Sequence, residues 1–221
     1  MTFILNIETA TKNCSVSLAK NGITILCKEL AEQGYSHAEK LHVFIEEILK
    51  EAGISVQQLN AVAVSKGPGS YTGLRIGVST AKGLCYALGI PLISIDTLLI
   101  LAKQVVVDSG FIIPMIDARR MEVYSAIYTA NHSCTREVEA EILTEDSYAT
   151  VQDNIYIVGD CQEKVHTVLN QSNRHFLPNV VFPSANEMSA LSFEKFSKNE
   201  FEDVAYFEPY YLKDFMLPQK K

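Results

Sequence analysis

Residues 61–89, AVAVSKGPGSYTGLRIGVSTAKGLCYALG, carry the reading that decides the fold. Ala61 to Ser65 is a short apolar run of the kind that forms a buried strand. Gly67, Pro68, Gly69 and Gly73 then interrupt the chain. From about Leu74 to Leu88 the sequence reads as a helix, and Gly89 with Pro91 beyond it supplies the stop. Leu92 to Ile95 forms the next strand. A strand, a glycine turn, a helix and a second strand make one parallel crossover, so the chain is an α/β protein.

Upstream of that unit, Phe3 to Glu8 reads as a buried first strand. Ser15 to Lys20 and Ile23 to Leu30 flank Asn21-Gly22, a hairpin turn signal. From Ser36 the period changes: Ala38, Leu41, Ile45, Ile48, Leu49 and Ala52 recur at spacings of three and four, one helix face. Ser36 with Glu39 forms a capping box, and Gly53 stands where a left-handed C-terminal cap is wanted. The first hundred residues therefore read β-β-β-α-β-α-β. Downstream, strands are expected at 112–116 and 123–128 around the turn Asp117-Ala118-Arg119-Arg120, and again at 137–143 and 155–158. Short helices are expected near 161–171 and 186–197. The boundary falls near 97–105, giving lobes of residues 1–100 and 101–221. No internal repeat is visible by sequence, although related topologies in the two halves stay open.

The chain has 221 residues, 48% of them hydrophobic, and 19 Lys+Arg against 26 Asp+Glu leave a net charge of −7. A chain of this size hides roughly 70% of its unfolded surface and needs no staples. The acidic balance argues against a self-sufficient nucleic-acid binder, because neutralising phosphates supplies most of that affinity. Five Cys (14, 27, 85, 134, 161) are scattered without a C-x-x-C pair, which fits reduced thiols. The apolar stretch in MTFILNIETA is too short for a signal-peptide core, and the run from Leu98 to Ala102 stops at Lys103, far short of a membrane span. A soluble cytoplasmic protein is expected.

Most catalytic readings fail on spacing. Gly67, Gly69 and Gly73 read G-x-G-x-x-x-G, one residue too long for a dinucleotide loop, and Pro68 removes a donor N–H. Leu74 and Arg75 stand where a Walker loop needs Lys and Ser or Thr. The plain alternative is a tight strand-to-helix turn. The five His (37, 42, 132, 166, 175) include no pair four apart, and His132/Cys134 or Cys161/His166 have no zinc-like spacing. Ser70 sits one place too early for a nucleophile elbow. Glu8-Thr9-Ala10-Thr11, an acid at a strand end beside hydroxyls, could hold a metal–phosphate group as in actin-type ATPases. Glu8, Thr9, Ser70 and Thr72 would carry that chemistry; a turn whose hydroxyls cap backbone groups is the competing reading. Arg119 and Arg120 form a charged turn, either solvated or meeting a partner's carboxylates.

A different signal lies in the second helix. Gly73, Gly77, Ala81 and Cys85 are spaced by four and form a ridge of small side chains that admits a close neighbour. Gly77 and Gly83 each cost a helix about 1 kcal/mol against Ala, so a packing reason is expected. That neighbour is either the protein's own sheet or a partner's helix. In helix 36–52, Val43 and Phe44 lie outside the main stripe, so its apolar surface is wider than one sheet contact needs. Together the two helices point to a docking face.

ILNIETAT at 4–11, GPGSYTGLRIG at 67–77, KGL at 82–84, IDARRMEVY at 116–124 and EPYYLK at 208–213 resemble the TsaB (YeaZ) family nearly end to end. The resemblance implies an actin/Hsp70-like (ASKHA) fold, two RNase-H-like lobes with mixed sheets flanked by helices and the second lobe reduced. It implies a non-catalytic scaffold without cofactor or metal, paired through a helical bundle with a catalytic TsaD-type paralogue. A TsaE-type ATPase would join the assembly, and tRNA would be reached only through the complex. The product would be threonylcarbamoyladenosine in tRNA. The interface is then placed on 38–52 and 73–85, with Ala38, Leu41, Phe44, Ile45, Ile48, Gly73, Gly77, Ala81 and Cys85 as its residues. Gly77→Leu or Ala81→Glu should accordingly abolish pairing while leaving a folded monomer. A bare face of this kind also admits a homodimer of the isolated chain. Glu8 departs from the family's usual Asp, and Gly159-Asp160 stands roughly where nucleotide-binding relatives carry Gly-Gly. Both departures weigh against the rival reading, an ATPase or phosphotransferase using Glu8 and the 67–73 loop.

Overall fold

The structure is a computed structural model that describes residues 1–31 and 37–212. Three strands open it: β1 (Phe3–Glu8), β2 (Asn13–Lys20) and β3 (Ile23–Ala31), joined antiparallel in sequence. Asn21 and Gly22 both adopt the left-handed backbone, at φ 50° and 82°, that a two-residue hairpin with the right twist requires. Helix α1 (His37–Ala52) follows; Ser36 of the expected capping box lies outside the described residues. Then come β4 (Ala61–Gly67), α2 (Tyr71–Leu88) and β5 (Leu92–Asp96). Helix α2 begins at Tyr71, earlier than the glycine run suggests, because the Ser70 hydroxyl accepts the Gly73 amide at 3.2 Å as an N-cap. It ends on Gly89, left-handed at φ 65°.

The first sheet has the order β3-β2-β1-β4-β5, with β1, β4 and β5 parallel. After α3 (Thr97–Ala102), the strands β6 (Phe111–Asp117), β7 (Glu122–Thr129), β8 (Cys134–Ile142), β9 (Ile155–Gly159) and β10 (Arg174–Phe176) form a second sheet, ordered β8-β7-β6-β9-β10. Its pairings, antiparallel β6–β7–β8 and parallel β6–β9–β10, repeat those of the first sheet. The two lobes thus share one topology, as the sequence had left open. The second copy is shorter: among the described residues no helix stands between β8 and β9, and α4 (Gln162–His166) between β9 and β10 has 5 residues.

Leu5, Ile7, Val16, Leu18, Val62 and Val64 send their side chains to one face of the first sheet, where α1 and α2 cover them. On the other face Ile4, Ala63, Ile93 and Ile95 meet Ala185, in the short turn before α5 (Met188–Lys198), and Met188, its first residue. Part of that contact is polar: Asn6 donates to Ser17 at 3.0 Å and to Ser189 at 3.3 Å, and Ser17 donates to the Ala185 carbonyl at 2.6 Å. Residues 200–212 return to the first sheet as well, with the Glu202 amide on the Leu92 carbonyl and the Tyr210 amide on the Lys66 carbonyl, at 2.9 and 2.7 Å. The expected division at residue 101 groups these late segments with the second lobe, whereas their packing is on the first. Helix α3, on the expected boundary, joins the two cores: Ile100 packs with the first sheet's second face, and Leu98, Leu101 and Ala102 pack with Ile112, Ile116, Ala126 and Val158. Among the described residues no helix is long and apolar enough to cross a membrane, and all five cysteines are unbridged.

Candidate docking interface

The small-residue ridge of α2 faces inward. A Cβ on Gly73 would stand 2.1 Å from the Thr9 carbonyl oxygen, and one on Gly77 would stand 2.3 Å from Thr9 Oγ1. Ala81 and Cys85 are buried in the core shared with the first sheet. What approaches this helix so closely is the chain's own β1–β2 turn. The Thr9 hydroxyl donates to the Gly73 carbonyl at 2.8 Å, and the Ser70 amide donates to the Ala10 carbonyl at 2.6 Å. Leu41, Ile45 and Ile48 of α1 are buried in the same core. Gly73, Gly77, Ala81, Cys85, Leu41, Ile45 and Ile48 are therefore not surface residues, contrary to the reading that gave them to a partner. A stripe of small residues reports that something comes near, without saying what. Gly77→Leu and Ala81→Glu would accordingly strike the fold itself and leave no clean test of pairing.

The opposite flank of the two helices is exposed among the described residues. On α2 Thr72, Arg75, Ser79, Gly83 and Tyr86 are exposed, and nothing lies within 4 Å of where a Gly83 Cβ would stand. Positions 72, 75, 79, 83 and 86 follow spacings of three and four, so they form one crest. Arg75 is its single charge. Tyr86 is 86% exposed and extends the crest with a large aromatic side chain. On the neighbouring α1, Ala38 and Val43 are exposed and Phe44 is half-buried. Of the expected interface residues, Ala38 and Phe44 thus reach the surface.

The residues of the rival phosphate reading do not converge on an open cradle. Glu8 and Thr9 are fully buried. Glu8 Oε1 accepts the Ala10 amide at 2.5 Å, while Glu8 Oε2 and Ser65 Oγ are buried and, among the described residues, have no hydrogen-bond partner. Burial lifts the Glu8 carboxyl to about 7, outweighing the hydrogen bond from the Ala10 amide, which pulls it down. Ser70 is taken up in capping α2, and Thr72 lies on the outer crest. A Cβ on Gly69 would meet the Ala10 carbonyl oxygen at 2.3 Å, so the turn after β1 fills the space that the glycine loop opens. Among the described residues no group of three His, Cys, Asp or Glu could hold a metal ion. Across the molecule, Arg119 and Arg120 occupy consecutive left-handed positions at φ 71° and 54°. Asp117 Oδ1 accepts the Arg119 amide at 2.8 Å, and the Lys164 ammonium caps the Arg120 and Glu122 carbonyls, each at 2.9 Å.

The sequence reading missed the strap 200–212 beside α2. Lys82 donates to the Ala205 and Phe207 carbonyls at 3.1 and 2.9 Å, and the Tyr211 ring lies 5.1 Å from that of Tyr71. The density of aromatic residues between Phe201 and Tyr211 was the available signal.

A family model described as "TsaD: tRNA N6-adenosine threonylcarbamoyltransferase" matches residues 26–213. The tRNA threonylcarbamoyladenosine biosynthesis protein TsaB of Escherichia coli is 30% identical over 226 residues, covering 96% of this chain and 94% of that one. A tRNA N6-adenosine threonylcarbamoyltransferase of Geobacillus kaustophilus is 34% identical over 126 residues, 49% of this chain and 37% of that one. Among solved structures, YeaZ from Pseudomonas aeruginosa superimposes with a TM-score of 0.82 at 25% identity, covering 96% of this chain and all of that one, 100%. The ethanolamine utilization protein EutJ from Carboxydothermus hydrogenoformans shares the fold alone, with a TM-score of 0.51 at 10% identity over 86% of this chain and 89% of that one. Two mixed sheets of equal topology, flanked by helices, make this the two-lobed actin/Hsp70-like fold. By its end-to-end similarity, the chain belongs to the TsaB (YeaZ) family.

Proposed function

We propose that this chain is a non-catalytic partner subunit that pairs with a TsaD-type transferase and enables threonylcarbamoylation of adenosine in tRNA. The observation that carries the reading is the division of α2 into two flanks. Its inner ridge is closed by the protein's own turn, and on its outer crest Tyr86 is 86% exposed and, among the described residues, nothing lies within 4 Å of where a Gly83 Cβ would stand. The relatives' names supply the pathway. The interface lies on the outer flank of α1 and α2, with Ala38, Val43, Phe44, Ser79, Gly83 and Tyr86 at its centre. With a net charge of −7, the chain meets tRNA through the complex, in the cytoplasm. A TsaE-type ATPase joins the pair, and the same flank supports a homodimer when the sister chain is absent. Residues 185–212 act with the first lobe, whose sheet they cover.

Reconstitution tests this. Purified TsaD-type subunit, tRNA and the activated threonylcarbamoyl donor should give modified tRNA only when this chain is added. The Gly83→Arg chain, changed at a position with open space around it, should fail to support modification without lowering the melting temperature. Full modification without the chain, or stoichiometric Mg-ATP binding and turnover by the chain alone, would overturn the proposal.

A further inference from the structure

At the N-terminal end of the α2 crest one cation, Arg75, is held against two tyrosines and, among the described residues, forms no ion pair. Arg75 Cζ lies 4.3 Å from the Tyr71 ring centroid, a stacked cation–π contact. Its Nε donates to the Tyr211 hydroxyl at 3.4 Å, and the Tyr71 and Tyr211 rings contact each other with centroids 5.1 Å apart. The strap that brings Tyr211 here is itself fixed. The Tyr210 amide bonds the Lys66 carbonyl at 2.7 Å, and a Cβ on Gly67 would come within 2.7 Å of the Tyr210 carbonyl oxygen. Two segments distant in sequence, GPGSYTGLR and EPYYL, thus build one clasp around a guanidinium. Among the described residues Arg75 forms no ion pair, and Glu208 acts on it only through space.

We propose that Tyr71, Arg75 and Tyr211 form the energetic centre of the docking face and receive a carboxylate from a helix of the sister transferase chain. This rests on the pairing proposed above and adds the chemistry of the counterpart. Side-chain entropy is what an arginine ordinarily loses on binding, and here the stack and the Nε bond have already removed much of it. The terminal N–H groups keep the planar fork that matches a carboxylate in two parallel bonds. Arg and Tyr dominate the energetics of protein interfaces, and further exposed tyrosines lie on the same two elements: Tyr86 on the crest and Tyr206 on the strap, 86% and 85% exposed. The chain carries 26 acids against 19 bases, so a fixed, solitary cation on an otherwise uncharged crest complements an acidic group. The sister chain is the occupant because a TsaD-type relative shares sequence with this chain over 126 residues. Two chains of one fold can present the same surface patch to each other, as the halves of an isologous interface do.

The test measures the dissociation constant of the full chain with its TsaD-type subunit at two salt concentrations, for wild type, Arg75→Ala, Arg75→Lys, Tyr211→Phe and Gly83→Arg. Removing a central anchor should weaken binding by about thirtyfold for Arg75→Ala and nearly as much for Arg75→Lys, which keeps charge but loses the fork. Tyr211→Phe should weaken it a few-fold, and the salt dependence should flatten in Arg75→Ala. A scan of Asp→Lys and Glu→Lys changes on the sister's helices should find one position whose loss of binding Arg75→Glu restores. Arg75→Ala binding within twofold of wild type, while Gly83→Arg fails to bind, would overturn the carboxylate and leave the docking face standing. Both variants binding normally would remove the face itself. Unchanged protein affinity with weaker tRNA binding by the assembled complex would assign Arg75 to phosphate and equally overturn the inference.

Discussion

Glu8→Gln isolates what it costs to bury an acid beneath the β1–β2 turn. In the folded chain the Glu8 carboxyl is raised to about 7 by desolvation, from an ordinary value of 4.5. One unit corresponds to about 1.4 kcal/mol, so holding the ionised form in place at pH 8 costs about 3 kcal/mol of stability. The sign follows from proton counting. Between 4.5 and 7 the folded state keeps a proton that the unfolded state has released, so stability falls as pH rises through that window. Glutamine keeps an oxygen for the Ala10 amide, 2.5 Å from Glu8 Oε1, and never ionises. Urea unfolding of both proteins at pH 5, 6.5 and 8 should therefore give midpoints that diverge. The variant should be more stable by about 3 kcal/mol at pH 8 and by under about 1 kcal/mol at pH 5. Parallel pH dependences would refute the reasoning, and a loss of stability at pH 8 would show that the carboxylate is held by something the structure does not contain.

The three glycines of α2 should behave differently in the same melts. Gly83→Ala, with open space around it, should gain about 0.5–1 kcal/mol, whereas Gly77→Ala should lose about 1–3 kcal/mol by crowding Thr9, and Gly73→Ala at least as much because its neighbour is main chain. In the second lobe, Arg136 donates to Glu141 at 2.6 Å, with Ser125 and Tyr148 hydroxyls on the same carboxylate oxygen. Burial would raise the Glu141 carboxyl, but these bonds hold it below the usual range, so its contribution is present at neutral pH and is lost as pH falls below about 4. Glu141→Ala should cost about 2 kcal/mol at pH 7, read from the same urea curves, and much less at pH 3. Thiol labelling of the native chain should modify the exposed Cys27 and Cys134 promptly and leave Cys14, Cys85 and Cys161 protected until denaturant is added.

Much of the first lobe was legible because its elements are long or punctuated: Asn21-Gly22 set the hairpin, and Gly53 and Gly89 closed the helices. Helix α3 was not, since 6 residues are too few to display a period and its apolar run serves two cores at once. Strand β10, with 3 residues, carries no alternation to detect. The matching order of the two sheets left no trace in residue identity, because topology constrains burial and direction rather than particular side chains. At the candidate site, the helical period placed Phe44 outside the buried stripe, and the structure has it half-buried at the edge of the first core. Which flank of α2 faced out was not readable. Gly73 and Gly77 announce a close neighbour, and only the placement of Thr9 and Ala10 shows that the neighbour is the chain itself. The return of residues 200–212 to the first sheet rests on main-chain bonds from Glu202 and Tyr210, which sequence does not specify.

Calorimetric titration of the chain with its TsaD-type subunit, comparing wild type with Gly83→Arg and Tyr86→Ala, bears most directly on pairing through the outer flank of α1 and α2. One-to-one binding by wild type, with no detectable heat for Gly83→Arg, at least tenfold weaker binding for Tyr86→Ala and unchanged melting of both variants, is the predicted result. Wild-type affinity retained by two folded variants would contradict it.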